Sequence, residues 1–334
     1  MTTASAPGKL VLTGEYAVLA GAPAIVTAVD RRAYARLGSA AACRVAAKGI
    51  DAAPASFEYG PGGRLRWHEA GAAEDYALVA AVMAALADDA PLPVGRDFEL
   101  NLDTSAFHQD RRKLGLGSSA ALTVATTAAL CRHFGIDFDT AFASAAHRRF
   151  QGGAGSGLDI AAATTGGLIR FRAGGEGPAV EPLAWPAGVE AVFVWTGHSA
   201  ATAPRVRRFE AWADTAGSAP ILDALGEAAG RAAAAWQSGT PDAVMSATAA
   251  WAAMLMELAQ AAGLDIWSGG HDRLARLAAT AGVVYKPSGA GGGDIGLALS
   301  ADPDRRHAFA SRVVQEGFHV LALGPDARGV SALE

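Results

Sequence analysis

The most informative stretch of this sequence reads Lys113-Leu114-Gly115-Leu116-Gly117-Ser118-Ser119-Ala120-Ala121-Leu122. Two glycines bracket one apolar residue, two serines follow, and a long segment rich in alanine, threonine and leucine then begins. The pattern predicts a glycine-rich loop that opens directly into a helix. Because the first turn of a helix has free backbone N–H groups and the positive end of the helix dipole, such a junction attracts phosphate. We therefore expect the chain to bind a nucleotide.

Two better-known phosphate-binding motifs fit this stretch poorly. Residues 115–120 match the dinucleotide pattern G-x-G-x-x-A, but the polar residues 108–113 before them cannot form the buried strand that this pattern requires. The P-loop pattern G-x-x-x-x-G-K-[ST] does not occur in the chain. Taken alone, the stretch fits a plain helix N-terminus with glycine and serine as turn and cap residues equally well.

The composition is that of a globular protein with a slightly acidic balance. Of 334 residues, 51% are apolar and 18% charged, which suffices for a packed core. The length corresponds to about two domains. The net charge is −5, whereas broad nucleic-acid binding needs a basic face. We expect no nucleic-acid partner, and the local basic clusters favour a small anionic substrate instead.

The sequence shows no sign of secretion, membrane insertion or a cysteine metal site. Residues 1–10 lack the basic and apolar regions of a signal peptide, and no uninterrupted run of about 18 apolar residues occurs. Cys43 and Cys131 have no metal-ligand spacing and are expected to pack as small apolar side chains. We expect a cytoplasmic protein with no membrane partner.

Strand and helix patterns interleave along the chain without regular βαβ repetition, which predicts an α+β fold in two domains. The glycine-rich segment 173–178 marks the expected boundary, with one domain at 1–175 and the other at 176–334. Strands are predicted at 9–12, 24–29, 34–37, 98–102, 167–171, 191–195, 283–285, 295–299 and 318–323. Helices are predicted at 74–87, 118–133 and 139–150, with several more between 204 and 281 and one between 299 and 318.

Three further segments combine small residues with chemically active ones. Lys9 enters the first strand within 5–16, Asp159 follows the flexible run 151–158, and a glycine-rich run follows Lys286. Glycines leave room for another group to approach the backbone closely. Each segment also has a simple alternative, since a lysine at a strand start is usually solvated and an aspartate often caps the next helix.

Together and in this order, the segments 6–16, 113–122, 151–167 and 286–299 resemble those of the GHMP kinase superfamily, which includes galactokinase and the homoserine, mevalonate and phosphomevalonate kinases. The resemblance covers nearly the whole chain. Within the superfamily the sequence is most similar to phosphomevalonate kinases. The details that favour them are Gly14-Glu15-Tyr16-Ala17-Val18-Leu19, Lys113-Leu114, Ala146-His147 with Gln151-Gly152, and Lys286-Pro287-Ser288. Mevalonate kinases usually carry histidine where this chain has Tyr16.

The resemblance implies a ribosomal-S5-like N-terminal domain, a ferredoxin-like C-terminal domain and a site in the cleft between them. It also implies ATP and Mg²⁺ as cofactors. Ser118 or Ser119 would bind Mg²⁺, a hard cation that prefers oxygen ligands, and Lys9 and Asp159 would be the catalytic residues. The ATP phosphates would bind the backbone of Gly115, Leu116, Gly117, Ser118, Ser119 and Ala120.

For the acceptor, the resemblance implies 5-phosphomevalonate, which would be converted to 5-diphosphomevalonate. The expected acceptor contacts are Lys113, His147, Arg148, Ser156, Gly157, Ser199, Gly291 and Gly292, with Arg111 and the stretch 198–208 as further candidates. The simple alternative for each basic residue is a solvated surface charge. His68 and His271 have no such neighbours in the sequence and are given no role.

One departure from the family concerns the metal. Mevalonate kinases hold a glutamate as an Mg²⁺ contact on the helix before the aspartate, whereas this chain has no acidic residue from Thr140 to Leu158 and carries Arg148 at roughly that place. The protein ligands of Mg²⁺ therefore stay open, and mevalonate kinase is disfavoured. Mevalonate kinase or another GHMP kinase remains the alternative, and a non-catalytic ligand sensor is the second one. We expect a monomer or a homodimer.

Overall fold

Two large sheets, each covered by helices, organise the molecule, and a two-stranded sheet accompanies them in the described residues. The computed structural model describes residues 1–110, 112–153, 155–174 and 177–333. The strands are β1 (Thr2–Thr13), β2 (Ala24–Ser39), β3 (Cys43–Lys48), β4 (Ala55–Tyr59), β5 (Leu65–Trp67), β6 (Phe98–Asp103), β7 (His108–Gln109), β8 (Arg112–Lys113), β9 (Leu168–Arg172), β10 (Ala179–Leu183), β11 (Glu190–Trp195), β12 (Val284–Pro287), β13 (Ile295–Ser300), β14 (His319–Leu321) and β15 (Ser331–Leu333). The helices are α1 (Ala72–Asp75), α2 (Ala77–Leu86), α3 (Ser118–Phe134), α4 (Thr140–Phe150), α5 (Leu158–Thr165), α6 (Thr202–Ala213), α7 (Ala219–Ser238), α8 (Pro241–Ala262), α9 (His271–Ala281) and α10 (Pro303–Gln315).

The larger sheet has nine strands in the described part of the chain, and it is built around the long strand β2. Strand β1 runs antiparallel along one edge of β2, while β6 and β9 share its other edge. Strand β3 is parallel to β6, and the remaining neighbours are antiparallel. The ladder between β1 and β2 shifts register between Pro7 and Gly8. Such a bulge bends a strand locally, and it lies directly before Lys9.

Helix α3 is the central helix of the first layer. It packs on β1 and β2, and most of its residues, from Ala120 to Cys131, are buried. Gly135, in the left-handed conformation with φ 75°, ends the helix and donates its N–H back to the last turn, as glycine commonly does at a helix C-terminus. This packing fixes the N-terminal end of α3 beside β1.

The smaller sheet is antiparallel, with the strand order β12-β13-β11-β14. Helices α9 and α10 cover it through Leu274, Phe309 and Val313, which pack against Val192 and Val194. Helices α6, α7 and α8 form a further cluster that also buries Tyr16 and Trp251. The predicted α+β class is confirmed.

The predicted elements differ from the structure in three places. The helix predicted at 74–87 is two helices, because Tyr76 interrupts it with φ −112° and ψ 27°. Its ring stacks on Trp67, and its hydroxyl donates to Ala53 O at 2.8 Å. The strands predicted at 24–29 and 34–37 are one strand, β2. Strands β3, β4, β5, β7, β8, β10 and β15 were not predicted.

The C-terminal segment returns to the first sheet, where β15 pairs with β1. Arg32, 8% exposed, holds the segment. Its guanidinium donates to Asp326 Oδ2 at 2.5 Å and to Gly329 O at 2.7 Å. The division of the chain at 175/176 stays a prediction, and residues 175 and 176 lie outside the described ones. Among the described residues, we find no helix with the length and apolar character needed to cross a bilayer.

Candidate active site

The glycine-rich loop before α3 presents an uncapped helix N-terminus. Gly115 and Gly117 have φ of 78° and 75°, a conformation that favours glycine. Gly117 is the N-cap of α3, and no side chain caps the helix there. The loop is anchored to β1, because Lys9 N donates to Leu116 O at 2.9 Å and the Leu116 side chain is buried. The N–H groups of the first turn are thus left for an anion.

Lys9 and Asp159 meet beside this loop. Lys9 Nζ lies 3.2 Å from Asp159 Oδ1, and the Lys9 stem runs so close to Gly117 that a Cβ there would lie 3.2 Å from Lys9 Cε. Gly8 must also be small, since a Cβ at that position would lie 2.6 Å from Leu116 O. Asp159 belongs to the first turn of α5. An ammonium, a carboxylate and an anion-binding loop therefore converge.

His147 adds a neutral imidazole to the same place. It is 5% exposed, and its Nε2 lies 3.4 Å from Ser119 Oγ. Burial lowers the pKa of His147, with the Asp159 charge opposing this and the Lys9 charge reinforcing it. A neutral imidazole at this position orients the Ser119 hydroxyl.

Of the other candidate acceptor contacts, Ser156 and Gly157 directly precede the helix that carries Asp159, whereas Lys113 and Arg148 have exposed side chains. Ser156 Oγ accepts from Leu158 N at 3.4 Å, so Ser156 and Gly157 form the start of the helix that carries Asp159. Lys113 is exposed in the β7–β8 hairpin, and Arg148 is exposed on α4 next to His147. Arg111 and Ala154 lie outside the described residues.

A cavity of about 900 Å³ adjoins the loop. Its walls combine polar groups near α3 with aromatic and apolar side chains. The lining includes Ser118, Ser119, Lys113, His108, Tyr76 and Phe150. A cavity of this size and mixed character suits a small organic ligand.

The glycine-rich run after β12 is packed against the protein itself. A Cβ on Gly291 would lie 2.4 Å from Ile266 O, and one on Gly292 would lie 1.9 Å from Arg205 Nη2. Arg205 is held in turn by a two-pronged ion pair with Asp265. These glycines are therefore explained by internal packing, and substrate contact by Gly291 and Gly292 stays a prediction. Ser199 is exposed on the loop after β11.

Sequence reasoning missed the contacts that join this run to β1. Lys286, fully buried, forms an ion pair with Glu15, whose Oε2 accepts from Trp251 Nε1 at 2.7 Å. Burial lowers the pKa of Lys286, and the Glu15 carboxylate opposes this. Ser288 Oγ donates to Val11 O at 2.9 Å and accepts from Val11 N at 3.1 Å. The strand that carries Lys9 and the glycine-rich run are thus locked together.

Asp294 and His271 were also given no role. Burial raises the pKa of Asp294 to about 6, although a hydrogen bond from Ala200 N and the charges of Lys9 and Arg205 oppose this. Burial lowers the pKa of His271 to about 4. In the sequence, the position of Asp294 at the end of the glycine-rich run could have indicated a role for it. No sequence pattern indicates a role for His271.

An uncapped helix N-terminus beside a lysine–aspartate pair is the arrangement expected of an enzyme that transfers phosphoryl groups, and similarity to known proteins supports this class. A family model described as GHMP kinases N terminal domain matches residues 77–167. The phosphomevalonate kinase of Streptomyces sp. (strain CL190) is 31% identical, with 97% of this chain and 97% of that protein covered. The mevalonate kinase of Methanothermobacter thermautotrophicus is 33% identical, over 50% of this chain and 49% of that protein.

Solved structures show the same fold. The Streptococcus pneumoniae phosphomevalonate kinase, determined in complex with phosphomevalonate and AMPPNP, matches with a TM-score of 0.80 at 19% identity, over 97% of this chain and all of that one. The chain belongs to the GHMP kinase superfamily. It is a phosphotransferase of the mevalonate pathway and is similar to phosphomevalonate kinases over nearly its whole length.

Proposed function

We propose that the enzyme transfers the γ-phosphoryl group of ATP to the phosphate of 5-phosphomevalonate and releases ADP and 5-diphosphomevalonate. The observation that carries the proposal is the contact between Lys9 and Asp159 beside the open N-terminus of α3. Similarity to a phosphomevalonate kinase over 97% of the chain supports the acceptor, because the matches to mevalonate kinases span between half and about two thirds of the chain.

The residues present fit a nucleotide. The loop from Gly115 to Ala120 would hold the triphosphate with its backbone N–H groups, and the adjoining cavity of about 900 Å³ would take the nucleoside. The Ser118 and Ser119 hydroxyls and the Asp159 carboxylate are the hard oxygen donors that Mg²⁺ prefers. When bound, Mg²⁺ supplies neutralisation of the phosphate charge and holds the phosphates in one geometry.

Phosphoryl transfer depends mainly on positioning and on stabilising spread negative charge. Lys9 is 14% exposed, so its ammonium is largely shielded from water, and Asp159 holds it in place. An oxygen of the acceptor phosphate attacks Pγ, and the bond from Pγ to the β–γ bridging oxygen of ATP breaks. Because a phosphate monoester is largely ionised at neutral pH, with a second pKa of about 6, no base has to remove a proton. Asp159 therefore orients Lys9 and the acceptor.

The acceptor end requires positive charge for a carboxylate and a phosphate. Lys113, which lines the cavity, and Arg148, which follows His147 on α4, are exposed and are proposed for this role. Ser156, Gly157 and Ser199 are proposed as polar contacts. A basic residue at 148, where mevalonate kinases carry an acidic one, fits an acceptor with an additional phosphate.

An ADP-release assay with mevalonate and 5-phosphomevalonate offered separately tests the proposal. We expect turnover with phosphomevalonate and little with mevalonate. Preference for mevalonate would assign the enzyme as a mevalonate kinase. Nucleotide binding without turnover of either compound would favour a ligand sensor instead. Lys9→Met serves as the matched variant, since it keeps the length of the side chain and removes the charge.

A further inference from the structure

Asp294 has an unusual backbone that the surrounding residues hold in place. Its φ is 58°, in the left-handed region, and it follows Gly293 with φ 143°. Non-glycine residues rarely adopt this conformation, and they persist in it when the surroundings hold them there, often at functional sites. The Asp294 N–H donates to His198 O at 2.7 Å, and Asp294 O accepts from Thr196 N at 3.0 Å.

Two buried hydrogen bonds made by His271 hold the peptide between Gly293 and Asp294. His271, with no exposed surface, has Nε2 at 2.8 Å from Gly293 O and Nδ1 at 2.7 Å from the Tyr285 hydroxyl. Because a carbonyl oxygen can only accept, Nε2 carries a proton, and in the neutral ring that burial favours Nδ1 accepts from the Tyr285 hydroxyl. The imidazole is neutral in this arrangement, and the Gly293 carbonyl has one orientation. The peptide that joins Gly293 to Asp294 is therefore held in place.

The Asp294 side chain touches two loops at once. On one side Oδ1 accepts from Ala200 N at 3.2 Å, within the exposed loop 197–200 that follows β11. On the other side the carboxyl group rests on the phosphate-binding loop, since a Cβ on Gly115 would lie 2.4 Å from Asp294 Cγ and 2.6 Å from Oδ2. Gly115 is glycine because Asp294 occupies the space of its side chain.

We propose that Asp294 is a positioning residue that couples nucleotide binding to acceptor binding. A triphosphate on the loop 115–120 fixes Gly115 and with it the carboxyl group of Asp294. The same carboxyl group fixes the loop 197–200, which carries the acceptor candidate Ser199. Each ligand then orders the Asp294 carboxyl group, which the other ligand also requires. The ligand that binds second therefore loses less conformational entropy. Linkage makes the effect mutual, and each ligand raises the affinity of the other by the same factor.

This inference rests on the proposed function, which places the acceptor near the loop 197–200. A second route joins the two regions, because Arg112 Nη1 donates to Gly197 O at 3.0 Å. That contact reaches the hairpin before the phosphate-binding loop rather than the loop itself, and it provides the matched control. The two routes are distinguished by comparing Asp294→Ala with Arg112→Ala.

The test is calorimetric titration of the whole protein with AMPPNP and Mg²⁺, with and without saturating 5-phosphomevalonate. In the wild type we expect the acceptor to tighten nucleotide binding by about fivefold or more, the lower end of typical coupling factors. Asp294→Ala should reduce this factor to nearly one. Asp294→Asn should keep most of it, since the amide oxygen accepts from Ala200 N and fills the same volume. Arg112→Ala should keep it as well.

The results that would overturn the inference are separable from failure of the proposed function. If the wild type turns over phosphomevalonate but binds the two ligands independently, the coupling is refuted and the function stands. If Asp294→Ala folds and keeps the full coupling factor, or Arg112→Ala alone abolishes it, Asp294 does not carry it. If phosphomevalonate is not turned over, the proposed function falls, and the coupling falls with it.

Discussion

Lys286→Met removes the positive half of a buried ion pair. The resulting loss in the free energy of unfolding depends on the groups that still surround Glu15. Lys286 has no exposed surface and Glu15 is 4% exposed, so the substitution leaves a carboxylate buried without its counter-charge. Breaking a buried pair in this way costs about 3–5 kcal/mol. Trp251 Nε1 at 2.7 Å and Gly289 N at 3.4 Å still donate to Glu15. We therefore expect the lower end, a loss of about 3 kcal/mol in the free energy of unfolding at pH 8.

A double variant identifies the cause of this loss. Glu15→Gln/Lys286→Met leaves no charge at either buried position, so it should recover most of the stability that Lys286→Met loses at pH 8. Both variants lack the Lys286 ammonium, and they differ only in the charge left at residue 15.

Urea unfolding measures these effects, with tryptophan fluorescence and circular dichroism as separate probes. Coincident transitions justify the use of a two-state free energy for this two-layer protein. A loss below about 0.5 kcal/mol for Lys286→Met at pH 8, the range of ordinary surface substitutions, would refute the reasoning. A double variant less stable than Lys286→Met would refute it too, since the buried charge would not be the cause.

Three further predictions concern the site and its supports. Lys9→Met should lower kcat by about 10²–10³-fold, the effect of losing a preorganised donor, and near-normal ADP release would show that Lys9 is not catalytic. Gly115→Ala should weaken nucleotide binding at least about tenfold, because φ is 78° and the new Cβ would lie 2.4 Å from Asp294 Cγ; unchanged binding in a titration would contradict the loop geometry. His271 has a pKa of about 4 in the folded state, below about 6.5 when unfolded, so the unfolded state binds the proton first and stability falls as the pH drops between these values. This amounts to about 3 kcal/mol, and His271→Gln should lose that part of the pH dependence in urea unfolding; an unaltered profile would contradict it.

The sequence predicted those elements whose signals are local. Helix α3 begins where a glycine pair meets a long apolar segment, and Lys9 and Asp159 belong to motifs with recognisable neighbours. Their separation of 3.2 Å is consistent with the expectation that both act at one place. The roles of these residues remain predictions until tested.

The missed features depend on contacts between distant segments. Lys286 and Glu15 are 271 positions apart, and a lysine is normally expected at the surface. The short strand β15 is held by the buried Arg32, which no local pattern indicates. Tyr76 breaks a periodic helix because its ring and hydroxyl have partners on Trp67 and Ala53. In each case tertiary contacts override the local preference.

The chemical nature of the product tests the central claim most directly. Phosphorus NMR of the wild-type enzyme with ATP, Mg²⁺ and 5-phosphomevalonate should show the phosphomonoester signal replaced by a pair of diphosphate signals, with ADP formed in equal amount. A phosphomonoester signal that persists with phosphomevalonate, while mevalonate under the same conditions is converted to a monoester, would contradict the account.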